Sequence, residues 1–171
     1  MSGDGLVTWP GDHLVPSGTV VVGVGNTILS DDGAGVQAAR LLEADTRVPP
    51  GVTILDGGTL GLDLAPYLAD ASRILFLDAV DWGEAPGTLT RMTGAELFGK
   101  PGERSVHQLG VADLVAALAL MSAVPRDIVV LGVQPAYTRC GTALSAEVEA
   151  ALSRLVDAAV AQLARWAETG V

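Results

Sequence analysis

The feature that most constrains this chain is a repeated alternation between short β-branched runs and helical stretches. Thr19–Gly25 (TVVVGVG) has no polar alternation, so it predicts a strand buried on both faces. Further strands are predicted at Val52–Leu55, Arg73–Val80 (RILFLDAV), Gly87–Met92 (GTLTRM) and Asp127–Val133 (DIVVLGV). Between them fall helical stretches at Gly33–Ala44, where Val36, Ala39, Leu41 and Leu42 recur at helical spacing, at Gly61–Ala69 despite Pro66, and at Gln108–Met121. Ser145–Ala167 reads as a long closing helix, with Ser145 as N-cap and Glu147 and Glu149 placed well for the helix dipole. Strands separated by helices need crossover connections, which implies an α/β fold with a mainly parallel sheet covered on both faces.

The length, 171 residues, fits one domain, and 49% apolar residues supply a core without help from disulfides or structural metal. Met1–Gly18 is rich in Gly, Pro and Asp and aperiodic, and reads as a loose tail before a single domain at 19–171. Cys140 is the one cysteine, which excludes an internal disulfide and any site built on several thiolates. A net charge of −10 argues against nucleic acid and anionic membrane as partners. No uncharged apolar run reaches the ~18 residues of a membrane span. Met1–Ser17 lacks the cationic and apolar regions of a signal peptide, so the expectation is a soluble, cytoplasmic protein.

The residues after each strand are more telling. Asn26-Thr27-Ile28-Leu29-Ser30-Asp31-Asp32-Gly33 comes after the first, and Asp56-Gly57-Gly58 ends the second. Asp78 lies near the end of the third, with Asp81 shortly after. Parallel strands point the same way, so these carboxylates are expected along the carboxyl edge, where open α/β sheets bind ligands. Anions gathered in one crevice repel one another unless a cation or a shared proton relieves them. Each also has a plain structural reading: Asp31 or Asp32 as a helix cap, Asp56 as a turn residue. Asp78, inside an apolar run, is costly to bury without a partner. His107 precedes an apolar helix, and imidazole with carboxylates makes a donor set suited to divalent transition metals.

Other motifs fade on inspection. Gly23-Val24-Gly25-Asn26-Thr27-Ile28 begins like a dinucleotide fingerprint but has Ile28 where the third glycine belongs, which weakens a nucleotide-binding, flavodoxin-like reading. There is no G-x-S-x-G, Cys140 has no histidine near it in sequence, and the aromatics are too scattered to stack bases. The loop Thr93–Ser105, with three glycines and Pro101, is long enough either to move on docking or to serve as a plain connection.

The segment Gly23-Val24-Gly25-Asn26…Asp31-Asp32-Gly33-Ala34-Gly35-Val36 resembles the N-terminal signature of the hydrogenase maturation endopeptidases. The similarity continues through Asp56-Gly57-Gly58-Thr59-Leu60-Gly61, Leu77-Asp78-Ala79-Val80, Pro86-Gly87-Thr88, His107-Gln108-Leu109-Gly110 and Gly132-Val133-Gln134-Pro135. The resemblance implies a three-layer α/β/α sandwich around a twisted, mainly parallel five-stranded sheet. It also implies a protease that trims the C-terminal tail of the [NiFe] hydrogenase large-subunit precursor. On this resemblance Asp32, Asp78 and His107 are the metal-binding and catalytic set, and Asp56 serves substrate recognition or supports the glycine turn. The metal implied is nickel brought by the substrate, with other divalent cations as substitutes. Many relatives carry Glu at the first position, where Asp32 is one methylene shorter. A non-catalytic nickel checkpoint or chaperone binding the same subunit is the alternative from another class.

Overall fold

A computed structural model describes residues 18–97 and 109–169. Five strands form one sheet in the order β2-β1-β3-β5-β4: β1 Gly18–Val24, β2 Thr53–Gly58, β3 Ala71–Ala79, β4 Leu89–Thr93 and β5 Asp127–Val133. The first four neighbours in that order pair in parallel, and β4 runs antiparallel to β5 at one edge. The helices are α1 Ala34–Glu43, α2 Ala65–Leu68, α3 Gly94–Leu97, α4 Leu109–Leu120 and α5 Ala146–Glu168.

The sheet has two apolar faces, as the unalternating strands required. On one, Val21, Leu75, Leu77, Val129 and Leu131 pack against α1 and α5. On the other, Val20, Val22, Ile74, Phe76 and Val130 pack against α4 and the 64–68 segment. These are the two covered faces of an α/β/α sandwich. Ser145 caps α5, its hydroxyl accepting from the Val148 N–H at 3.3 Å.

Several expectations shift in detail. The helix expected from Gly33 begins as a 3-10 turn at Ser30–Gly33, and neither Asp31 nor Asp32 caps α1, whose N-cap is Gly33 without a side-chain bond. Both carboxylates are committed elsewhere. Leu41, expected in the core, is 48% exposed, because the buried stripe of α1 runs through Val36, Ala38, Ala39 and Leu42. The Gly61–Ala69 helix is a 3-10 turn, Gly61–Leu64, followed by the single turn α2. Strand β2 runs on through Asp56, Gly57 and Gly58. The Thr93–Ser105 loop begins with the last residue of β4 and the short α3, and its remainder lies outside the described residues. So does the tail assigned to Met1–Gly18, apart from Gly18 itself, which opens β1.

Candidate active site

The carboxyl edge is built around glycines that let backbone approach backbone. Gly25 has φ of 124°, and a Cβ there would fall 1.8 Å from the Asp32 carbonyl oxygen. A Cβ on Gly35 would fall 2.1 Å from the Leu77 carbonyl oxygen. The first glycine allows the 25–33 loop to fold back over the end of β1. The second seats the start of α1 against β3. Together they bring Asp32 towards the strand that carries Asp78.

The adjacent acids then diverge. Asp31 is fully buried and accepts three backbone N–H bonds, from Ala136 (2.8 Å), Tyr137 (3.2 Å) and Ser145 (2.6 Å). It therefore ties the loop after β5 to the start of α5. Asp32 stays partly exposed and accepts the Asn26 N–H at 2.8 Å. One acid is enclosed in the frame and the other keeps contact with solvent.

Asp78 is 5% exposed. Burial pushes its pKa well above the ordinary carboxylate value; a bond from the Ala79 N–H works against this, and the nearby charge of Asp32 adds to it. Asp32 and Asp78 are thus close enough to repel. That arrangement attracts a cation and retains a proton in its absence.

Asp56 does not join them. It pairs in register with Gly23, which in turn pairs with Leu77, so Asp56 shares the face of Leu77 and Asp78 takes the other. On the α1 face Asp56 meets the Arg40 guanidinium at 2.9 Å. Asp81 is also accounted for: Gln134 and the Gly83 N–H bond its carboxylate at 3.0 Å each and hold its pKa below the usual value. His107 lies outside the described residues, and among the described residues no three His, Cys, Asp or Glu side chains converge as a metal site. The two carboxylates that are described, hard oxygen donors close enough to repel, fit a divalent cation as part of its shell.

Two residues are missed by sequence reasoning alone. Gln134 is 5% exposed and accepts the Trp82 and Glu84 N–H groups at 2.8 and 3.2 Å while donating to Asp81 and to the Pro135 carbonyl. It fixes the turn that comes after β3. The available signal is a lone polar residue closing the run Val-Val-Leu-Gly-Val before Pro135. Trp82, in sequence only a scattered aromatic, buries its indole Nε1 without a hydrogen-bond partner among the described residues, 3.5 Å from where a Cβ on Gly132 would sit. Gly132 is the β5 partner of Asp78.

Residues 36–162 match the family model described as hydrogenase maturation protease. The chain belongs to the hydrogenase maturation protease family. Among its relatives, the hydrogenase expression/formation protein HupD of Bradyrhizobium diazoefficiens is 36% identical over 153 residues, covering 88% of this chain and 80% of that protein. The hydrogenase 2 maturation protease of Escherichia coli is 35% identical over 148 residues, covering 84% and 89%. The solved structure of the hydrogenase maturating endopeptidase HybD from Escherichia coli superposes with a TM-score of 0.75 at 33% identity, over 89% of this chain and 93% of that one. As a family member the chain is a protease of hydrogenase maturation, and its five-stranded, mainly parallel sheet is the family's fold. Among the described residues no helix is long and apolar enough to cross a membrane.

Proposed function

We propose that this protein is the cytoplasmic endopeptidase that removes the C-terminal tail of the [NiFe] hydrogenase large-subunit precursor once nickel has been inserted, and that it reads the nickel through Asp32, Asp78 and His107. The observation that carries this reading is Asp78, an acid buried at the carboxyl end of β3 with its proton affinity raised and Asp32 as a like-charged neighbour. A fold tolerates such a pair where a cation arrives to relieve it.

The substrate's nickel, on this reading, supplies the positive charge that Asp32 and Asp78 lack. Carboxylates and an imidazole hold nickel without the thiolates of its own site, so the contact is reversible and other divalent cations can substitute. As the positive charge approaches, Asp78 would release its proton to solvent, and its carboxylate would then act on the attacking water as base. Polarisation of that water by the metal is the other route to the same cleavage. Asp56, held by Arg40 on the opposite face, touches the body of the precursor rather than its metal.

The test is intact-mass analysis of nickel-loaded precursor mixed with the protein and with Asp32→Ala and His107→Ala variants whose folding is checked by circular dichroism. The wild-type chain should shorten the precursor by its tail, and each variant should lose at least about 100-fold in rate. Tail removal by either variant at the wild-type rate would remove that residue from the site. A wild-type chain that binds the precursor yet leaves its mass unchanged is a checkpoint, not a protease.

A further inference from the structure

Eight arginines fall among the described residues, and seven have an oxygen to bond. Arg40, Arg47, Arg73 and Arg126 meet carboxylates, Arg91 and Arg165 meet the Gln162 amide, and Arg154 meets the Gly87 carbonyl. Arg139 has none among the described residues. Its guanidinium lies over the Tyr137 ring, 4.3 Å from the centroid, on an exposed stretch of the loop after β5. Arg91, Arg154 and Arg165 also lack a carboxylate but bond an amide or carbonyl oxygen, so what sets Arg139 apart among the described residues is that it bonds no oxygen at all, in a chain of net charge −10.

The position of this arginine is also fixed. Asp31 holds the loop at Ala136 and Tyr137 on one side and at Ser145 on the other. Between those points Gly141 accepts from the Ser30 N–H at 2.8 Å and donates to the Ile28 carbonyl at 3.0 Å. Arg139 therefore rides a short arc between pinned points, strapped to the very loop that delivers Asp32. Stacking on Tyr137 limits the guanidinium further and leaves its N–H edge open to solvent.

The proposed substrate supplies the missing partner. A C-terminal tail ends in a free carboxylate, whatever its sequence. An edge carrying the charges of Asp32 and Asp81 repels that group, so a tail drawn towards the site needs a cation to receive its negative charge. We infer that Arg139, held over Tyr137, is the receiving site for a carboxylate of the precursor's tail, with Tyr137 as its positioning residue. The inference rests on the tail-cleavage reading for its ligand. The carboxylate is the tail's terminal group or an acidic side chain within it; both offer the planar pair of oxygens that a guanidinium bonds in bidentate fashion.

Two measurements test it. In the first, affinity of a fluorescently labelled tail peptide for the intact protein is read by anisotropy, which needs no cleavage. Arg139→Glu should weaken binding about three- to tenfold, Tyr137→Leu less, and Tyr137→Phe and Arg139→Lys least, with the wild-type affinity falling as salt rises. A peptide ending in a carboxamide distinguishes the sources. If the terminal group is the ligand, amidation reproduces the loss and Arg139→Glu adds nothing further. If a side chain is the ligand, replacing the tail's acids does so instead. In the second, precursor processing by Arg139→Glu should show KM raised by the same factor with kcat changed less than about twofold. Unchanged peptide affinity in Arg139→Glu overturns the inference, even where wild-type cleavage upholds the protease. Failure of the wild-type chain to cleave, with peptide binding still dependent on Arg139, overturns the protease and leaves the carboxylate site standing.

Discussion

Arg73, near the start of β3, and Asp78, near its end, are buried to 3% and 5% exposure on one strand, and the fold surrounds them differently. Arg73 meets the Asp127 carboxylate at 3.2 Å, the Trp166 carbonyl at 2.6 Å and the Thr169 hydroxyl at 3.1 Å, and lies near the Trp166 ring. Every side of that charge is answered by the closing helix and the neighbouring strand. Asp78 is answered by the Ala79 N–H and opposed by both burial and Asp32. The amino edge of the sheet is therefore finished as structure, and the carboxyl edge holds a cost that a ligand would remove. A buried charge by itself marks neither stability nor function; the completeness of its shell separates the two.

Four substitutions would sharpen or break that contrast. Arg73→Leu should produce the largest loss of stability, about 2–4 kcal/mol, because it removes a buried guanidinium that bonds Asp127, the Trp166 carbonyl and the Thr169 hydroxyl, leaving, among the described residues, the carbonyl only the Thr169 hydroxyl and Asp127 only the longer contact to Arg126. Thermal melting should fall by about 5–15 °C while the folded fraction processes precursor at the wild-type rate. A loss of processing without a loss of stability would show that the amino edge also serves the reaction.

Asp31→Ala comes next, at about 2–3 kcal/mol by urea denaturation. The Ser145 N–H is enclosed, whereas the donors at Ala136 and Tyr137 can turn to water. Asp32→Ala, one residue away, should leave the denaturation midpoint near the wild-type value and remove processing. If the two variants behaved alike, the division of labour between the adjacent acids would be wrong.

The smallest effect concerns Asp45, a half-buried surface acid whose side-chain and backbone bonds from Arg47 lower its pKa to about 2 from an ordinary 3.8. A lowered carboxylate pKa contributes stability that is present above the ordinary value and lost as pH falls through the lowered one, so this pair's contribution changes with pH only between about 4 and 2. Nuclear magnetic resonance titration should place Asp45 near 2 at low salt. Arg47→Gln should return it towards the ordinary value, with little change in melting temperature at pH 7. An Asp45 that titrated normally in the wild-type chain would remove this example of a satisfied acid.

Much of this is legible in the sequence, because parallel strands buried on both faces announce themselves as unbroken apolar runs. Asp127–Val133 is recovered to the residue, and Ser145 reads as a cap from its place before two first-turn glutamates. The carboxyl edge comes from strand direction, and Asp78 from the cost of an acid inside ILFLDAV. Strand counting alone does not separate which face each acid takes. Asp56 and Asp78 lie at the same edge yet on opposite sides, since a one-residue difference in register reverses a side chain. Asp31 reads as a helix cap because capping is local, whereas its three donors lie more than a hundred residues away. Gln134 and Arg139 stay silent in the sequence for the same reason: their meaning comes from partners supplied, or withheld, by tertiary structure.

The central claim is that Asp78 is held at a cost to the free protein for the sake of its substrate, and Asp78→Asn tests it most directly. Because the raised pKa keeps a proton on the native state that the unfolded chain has released, stability falls as pH rises above the ordinary carboxylate value. A neutral amide of the same size removes that cost. At neutral pH the urea midpoint of Asp78→Asn should therefore rise above that of the wild-type chain, while removal of the precursor's tail falls below detection in the same preparation. A lowered midpoint with processing intact would mean that Asp78 stabilises the free protein and takes no part in cleavage.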